Sequence, residues 1–209
     1  TVTREAGGGG GAGQGLRRPE SMRRLHDAIA AADKILPYID MPLQHINDTM
    51  LRRMSRRVTR RDTEVLIDKL RDGIPGLTLR TTFITGFPGE TDEDAATNLE
   101  YLGESPLTYL HVFPYSDRPG TDATRLSGKV PGPTIRARGR EIRSVGAALA
   151  SSFRALQVGT VRPGLTIEGG AVVVTDNYLK VRVPTEVPEN ERVKVRITAA
   201  GELITGVLV

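Results

Sequence analysis

Cysteine is absent from all 209 residues. That excludes a disulfide, a thiolate nucleophile, a zinc ribbon and any cysteine-ligated iron–sulfur cluster held by this chain itself. The three histidines, His26, His45 and His111, do not fall at a metal-ligand spacing, so no metal ligand and no catalytic residue is assigned. Tryptophan is missing and aromatics make up only 4% of the chain, so any core must rest on Leu, Ile and Val. No apolar run approaches the roughly 18 residues that cross a bilayer, and the N-terminus carries no apolar stretch of signal-peptide type. A cytoplasmic chain with no membrane helix is the expectation. The chain begins with Thr1 rather than Met, which points to a true start elsewhere.

What remains is basic. The formal charge is +4, and most of the cations are Arg. Such a balance suits a polyanionic partner such as RNA, and equally a solvated basic surface. Apolar and charged fractions of 38% and 26% are those of a globular chain.

Residues 1–20 read as a flexible segment. Gly7 to Gly11 is unbroken glycine, which loses the most backbone entropy on ordering. A phosphate loop is excluded there, because no strand precedes it and no Gly-Lys-Ser/Thr follows. From Ser21 the spacing of Met22, Leu25 and Ile29 predicts a helix. Ile35 to Gln44 reads as a short strand, and Asn47 or Asp48 caps a helix with Met50, Leu51 and Met54 inward. Asp62 to Arg71 is a second helix on Val65, Leu66 and Leu70, and Leu77 to Ile84 is a strand stopped by Gly86-Phe-Pro-Gly89. Thr91, Glu93 and Asp94 open a further helix, and Leu107 to Tyr115 is the third strand. Alternating strands and helices predict a parallel α/β sheet with ligands at the carboxyl ends of its strands. Gln44, His45, Gly86, Glu90, Tyr115 and Ser116 fall there. Three strands alone leave open edges, so this is either a small open sheet or one lacking upstream strands.

Pro133 to about Val158 is a long Arg-rich helix, after which the period switches to two. Leu165–Ile167, Ala171–Val174, Tyr178–Val183, Arg192–Ile197 and Glu202–Val209 predict a small all-β barrel. The units are thus 1–20, 21–158 and 159–209.

Tyr38-Ile-Asp-Met-Pro-Leu-Gln-His45-Ile-Asn-Asp-Thr-Met-Leu-Arg-Arg-Met54, Arg80-Thr-Thr-Phe-Ile-Thr-Gly-Phe-Pro-Gly-Glu-Thr91 and Val112-Phe-Pro-Tyr-Ser-Asp-Arg-Pro-Gly-Thr121 resemble the radical-SAM methylthiotransferases, in that family's order. The β module resembles a TRAM domain, an OB-like RNA-binding barrel. The resemblance implies the C-terminal half of a partial (β/α)6 barrel followed by a TRAM barrel. It also implies S-adenosylmethionine and [4Fe–4S] clusters in the full-length family, whose cysteines this chain lacks. By itself the chain is expected to be inactive. Gln44 and His45, together with Gly86, Phe87, Pro88, Gly89, Glu90 and Tyr115, are the expected contacts of a partial cofactor site. A tight strand-to-helix turn is the alternative for Gly86–Glu90.

Two substrates compete within that resemblance. Pro42-Leu-Gln-His45 and the Arg-rich helix after it look like the enzymes that modify an aspartate of a small-subunit ribosomal protein. Val112-Phe-Pro-Tyr-Ser116 and Val173 to Arg182 look like those acting on a modified adenosine of tRNA. The longer C-terminal half favours tRNA. A stand-alone RNA-binding module is the third reading. Arg52, Arg53, Arg56, Arg57, Arg60 and Arg61 would cover much of one helix face, either for RNA or as a solvated surface. In the β module, Tyr178, Lys180, Arg182, Arg192, Lys194 and Arg196 alternate with apolar residues and are the expected RNA contacts.

Overall fold

A computed structural model describes residues 35–184 and 187–209. The glycine-rich segment over 1–20 and the helix expected from Ser21 lie outside the described residues.

Three parallel strands run in the order β1 (Tyr38–Asp40), β2 (Thr78–Thr85), β3 (Tyr109–Pro114). β2 is the middle strand, and Leu79, Thr81, Phe83 and Thr85 all point to one buried face. That face meets helices α1 (Asp48–Arg53), α2 (Arg60–Gly73), α3 (Asp92–Glu104) and α4 (Gly132–Leu156). Phe83, Leu79, Ile67, Leu102 and Ile142 form the centre of the core, each contributing about 1.5–3 kcal/mol by leaving water. The opposite face carries Thr82, Ile84, His111 and Phe113 and, among the described residues, no helix; Phe113 is 54% exposed there.

Local chemistry explains the helix starts. Thr59 and Thr91 each cap through a box, their hydroxyls accepting from Asp62 and Asp94 while those carboxylates accept from the cap N–H groups. Asn47 caps α1, accepting from Thr49 and Met50. Helix α2 presents Thr63, Ile67 and Leu70 inward, leaving Val65 exposed on the other side. The expected ten-residue strand ending at Gln44 is only Tyr38–Asp40 plus an isolated bridge from Gln44 to Phe83. Pro42 interrupts it by removing a ladder donor.

The β module is a closed barrel, β4 (Val161–Ile167), β5 (Val172–Thr175), β6 (Lys180–Arg182), β7 (Arg192–Ala200) and β8 (Ile204–Leu208), in the order β4-β5-β6-β8-β7. Its core is Val173, Val181, Val195 and Ile197, none with any exposed surface. The helix before it ends at Leu156 and β4 begins at Val161, four residues ahead of the expected Leu165. Tyr109 of β3 and Phe153 of α4 meet edge-on, 5.6 Å between centroids, and pack against the barrel core. The α/β sheet and the small barrel are as expected.

Candidate functional site

At the carboxyl end of β1 the chain turns through Gln44 with φ +73°. A non-glycine residue in the left-handed region is strained, and such strain persists only where surrounding bonds enforce it. Here Gln44 N donates to Thr82 O at 2.8 Å and Gln44 O accepts from Ile84 N at 2.9 Å. The backbone is pinned on both sides, and the half-buried amide side chain stands at the strand end, able to donate and accept without charge.

His45 goes the other way. It is 1% exposed, its Nδ1 accepts from Ile46 N and Asn47 N at 3.0 Å, and its Nε2 lies 2.9 Å from the Asn98 amide. Asn98 Oδ1 also accepts from Ile46 N. Burial pulls the imidazole down to about 4, against a smaller upward pull from Asp94, so the ring is neutral at pH 7. Both nitrogens are engaged inside the protein, and the ring fastens α3 to the turn that starts α1.

Gly86–Glu90 joins β2 to α3 as a tightly braced turn. Glu90, buried, accepts from Gly86 N through Oε2 at 2.5 Å and pairs with Arg138 Nη1 through Oε1 at 3.1 Å. Arg138 also donates to Glu90 O and to Asp92 Oδ1 at 2.6 Å. Burial pushes the Glu90 carboxyl above its usual range, opposed by the Gly86 N–H and the Arg138 charge. Arg53 Nε donates to Pro88 O at 2.6 Å and its Nη2 to Ser127 O at 2.7 Å, while Gly89 N donates to Gly128 O. The glycines are required by neighbours. A Cβ on Gly86 (φ +76°) would lie 2.3 Å from Ile135, and one on Gly89 (φ +90°) 2.7 Å from the Arg53 guanidinium. Phe87 is buried edge-on against Tyr115, 5.3 Å between centroids. The Tyr115 hydroxyl donates to Asp117 at 2.7 Å under Lys129.

The residues brought together at the strand ends are therefore Gln44, Gly86, Phe87, Pro88, Gly89, Glu90 and Tyr115. His45 lies beneath them. Sequence reasoning missed Arg138 and Asn98, and it set Arg53 on a cationic helix face rather than against this turn. Arg138 did leave a signal, because it occupies the stripe of Ile135 and Ile142 where an apolar residue belongs. Asn98 sits likewise between Ala95 and Leu102.

The arginine cluster does not cover one helix face. Met54 to Thr59 break it into two helices, with Ser55 at φ +58°. Arg53 is turned onto the Gly86–Glu90 turn, Arg56 donates to Pro42 O at 3.2 Å, and Arg60 pairs with Glu64 and lies over the Tyr101 ring. In the barrel the basic residues form two groups. Arg192, Lys194 and Arg196 project from β7, flanked by exposed Val161 and Leu165 on β4 and Val207 on β8. Tyr178, Lys180 and Arg182 lie on the far side of β8, where Tyr178 stacks on Tyr38 of the sheet at 4.2 Å.

Residues 13–102 match the model of the Radical SAM superfamily. Part of the chain is thus similar to a radical SAM domain, and the enzymes homologous to it are transferases of the radical-SAM methylthiotransferase family. Among them are proteins named ribosomal protein uS12 methylthiotransferase RimO. That of Opitutus terrae is 37% identical over 81% of this chain and 37% of its own length. Those of Lachnoclostridium phytofermentans and Desulfotalea psychrophila are 32% and 36% identical, over 88% and 72% of the chain. The chain spans 34% to 45% of the length of these relatives.

These names overturn the tRNA expectation. That reading leaned on Val112–Ser116 and on Val173–Arg182. In the structure, Val173 and Val181 are barrel core and Val112 packs under the sheet. Likeness at such positions reports packing, not the substrate. S-adenosylmethionine and [4Fe–4S] clusters are what the superfamily implies for full-length members. The residues here do not fit a cluster: no cysteine is present. Among the described residues no group of three or more His, Asp or Glu could hold a metal either. Among those residues no helix is long and apolar enough to cross a membrane.

Proposed function

We propose that this chain is the C-terminal part of a radical-SAM methylthiotransferase directed at ribosomal protein uS12. It would contribute one wall of the cofactor site and a substrate-docking barrel. The observation that carries the reading is the reach of the similarity. At 88% of the chain, the alignment with the Lachnoclostridium phytofermentans relative is too long to fit within either unit alone.

Within that reading, the Gln44 amide is the chain's polar contact for the cofactor, because its neutral donor and acceptor suit hydroxyl groups. Phe87 and Tyr115 supply the apolar edge beside it. Glu90 and the glycines set the turn's shape through Arg138, Ile135 and Arg53. The cluster is left to residues outside this sequence, and the chain by itself is inactive. The exposed cations of β7 would serve as an electrostatic footing on RNA beside the protein target.

Calorimetric titration of the purified chain against uS12 and against bulk tRNA tests the assignment. Saturable binding to uS12, with tRNA bound only weakly at physiological salt, is expected. Preference for tRNA would overturn it. Mass spectrometry of uS12 incubated with the chain and S-adenosylmethionine should show no added methylthio group.

A further inference from the structure

We propose that the free edge of β3 takes up an extended segment of the protein substrate as an added strand. The identity of the carrier rests on the protein-directed reading above; the demand for a polypeptide in extended form comes from the edge itself.

Along one side β3 pairs with β2, and among the described residues no strand pairs with its other side. Among the same residues no loop main chain hydrogen-bonds to Tyr109–Phe113. An edge of this kind presents N–H and C=O groups at a repeat of about 6.6 Å, two residues of strand. Another extended backbone offers donors and acceptors at that same repeat. Edges are normally guarded against such pairing by charge, proline, a bulge or shortness. β1, on the far side of the sheet, is guarded. It has three residues, carries Asp40 paired with Arg80 at 3.4 Å, is followed by Pro42, and has Tyr178 stacked on Tyr38. β3 has no such guard over its first five residues. Tyr109-Leu-His-Val-Phe113 holds no acid, lysine or arginine, and its register with β2 runs unbroken. Pro114 closes only the last position.

The face beside this edge is open as well. His111 and Phe113 are exposed, their rings stacked with 6.3 Å between centroids, and Thr82 and Ile84 of β2 lie opposite them in register. Phe113 and Ile84 give the alternate side chains of an incoming strand an apolar surface to pack on. A sugar–phosphate chain fits poorly, because β3 offers it no cation and it has no alternating donors and acceptors to match. Direction links the edge to the chemistry. β3 leads into Tyr115, whose ring meets Phe87 at the Gly86–Glu90 turn. A segment that runs along β3 and past Pro114 therefore carries a residue to the strand ends, where the cofactor contacts stand.

The test is amide hydrogen exchange of the full 209-residue chain, followed by NMR, with and without purified uS12. Two further probes are a blocked Thr-Val-Thr-Val-Thr peptide and the same peptide methylated at every amide nitrogen. Saturation with uS12 should slow exchange about tenfold or more at the β3 amides that face away from β2. The plain peptide should do the same, and the methylated one, which has lost its donors, should not. His111→Lys sets a guarding charge at an exposed position and should weaken uS12 binding about tenfold. His111→Thr keeps a strand-forming side chain there and should bind as the parent does. Unchanged β3 exchange in a chain saturated with uS12 would overturn the proposal. So would equal protection by the methylated peptide or by hexauridine, or parent-like binding of uS12 by His111→Lys. Protection present without any partner and lost on dilution would also overturn it, by giving the edge to a second copy. Protection by the plain peptide in a chain that fails to bind uS12 would leave the edge standing and sink only the choice of carrier.

Discussion

In the sheet unit, Arg53, Arg56, Arg71 and Arg138 each set a guanidinium against a main-chain carbonyl. The acceptors are Pro88, Pro42, Leu77 and Glu90. In the barrel, Arg192 and Lys194 stand exposed, and Arg196 donates to Gly159 O at 3.5 Å. Topology explains the difference. A parallel sheet returns its chain through loops whose carbonyls have no strand to pair with, and a long planar donor can satisfy two of them at once. A closed barrel pairs its own strands, so its cations meet carboxylate side chains, as Arg162 meets Asp176 and Lys180 meets Glu168, or face outward as those of β7 do. Counting arginines therefore says little about nucleic acid until each one's partner is known.

That contrast can be broken in order of effect. Arg138→Met should cost the sheet unit about 3–5 kcal/mol, because it strands the Glu90 carboxylate, 1% exposed, without its cation. Glu90 sits above its usual pKa in the folded chain, so lowering the pH should return part of that loss as the acid takes up a proton. Chemical denaturation at pH 7 and 5 would show it; a variant as stable as the parent would dissolve the idea of a tie.

Acid should next weaken the sheet unit while sparing the barrel. His45 has a folded value near 4 against about 6.5 unfolded, so its contribution is complete above pH 6.5 and fades as pH falls toward 4. The loss should reach about 3 kcal/mol, using the pKa-to-energy conversion. His45→Gln should flatten that limb. An acid transition that His45→Gln leaves untouched would assign it elsewhere.

Gly206→Ala should cost the barrel about 1–3 kcal/mol by overpacking, since its new Cβ would meet Arg196 O at 2.6 Å and Val195 at 2.7 Å. Thermal melts followed at barrel signals would measure it. The smallest effect on stability belongs to Lys194→Glu, expected within about 0.5 kcal/mol. Its readout is the salt dependence of RNA binding, whose logarithmic slope should drop by about one for each phosphate the variant no longer neutralises. An unchanged slope would take β7 out of any RNA footing.

The order of strands and helices was legible because period-two and period-3.6 patterns alternate along the chain, and turn residues mark their joints. The ends were harder. Thr59-Arg-Arg-Asp62 carries its capping box in plain view, yet the expected helix began at Asp62. Gly86 and Gly89 looked suited to a close ligand approach. Their neighbours, Ile135 and Arg53, lie dozens of residues away, and no local pattern connects them. The same holds for Arg53 with Ser127 and Arg138 with Glu90, pairs 74 and 48 residues apart. Gln44 was expected to end a strand, and it forms an isolated bridge four residues beyond the end of β1. Its left-handed backbone could not be read, since it goes with hydrogen bonds to Thr82 and Ile84, either side of Phe83 on one edge of β2.

Barrel closure has one further consequence, on the scale of seconds to hours rather than ångströms. The seam between β6 and β8 is the parallel one, and it holds only Val181↔Ile204 and Arg182↔Thr205 in register. A ring of strands breathes first where its ladder is shortest, so amide protons of β6 should trade with deuterium ahead of those in β4 and β7. Arg182 and Ile204 belong to that seam and also line a cavity of about 350 Å³ beside it. An occupant of the cavity would act as a stitch across the opening, and slowed exchange in β6 would report its arrival.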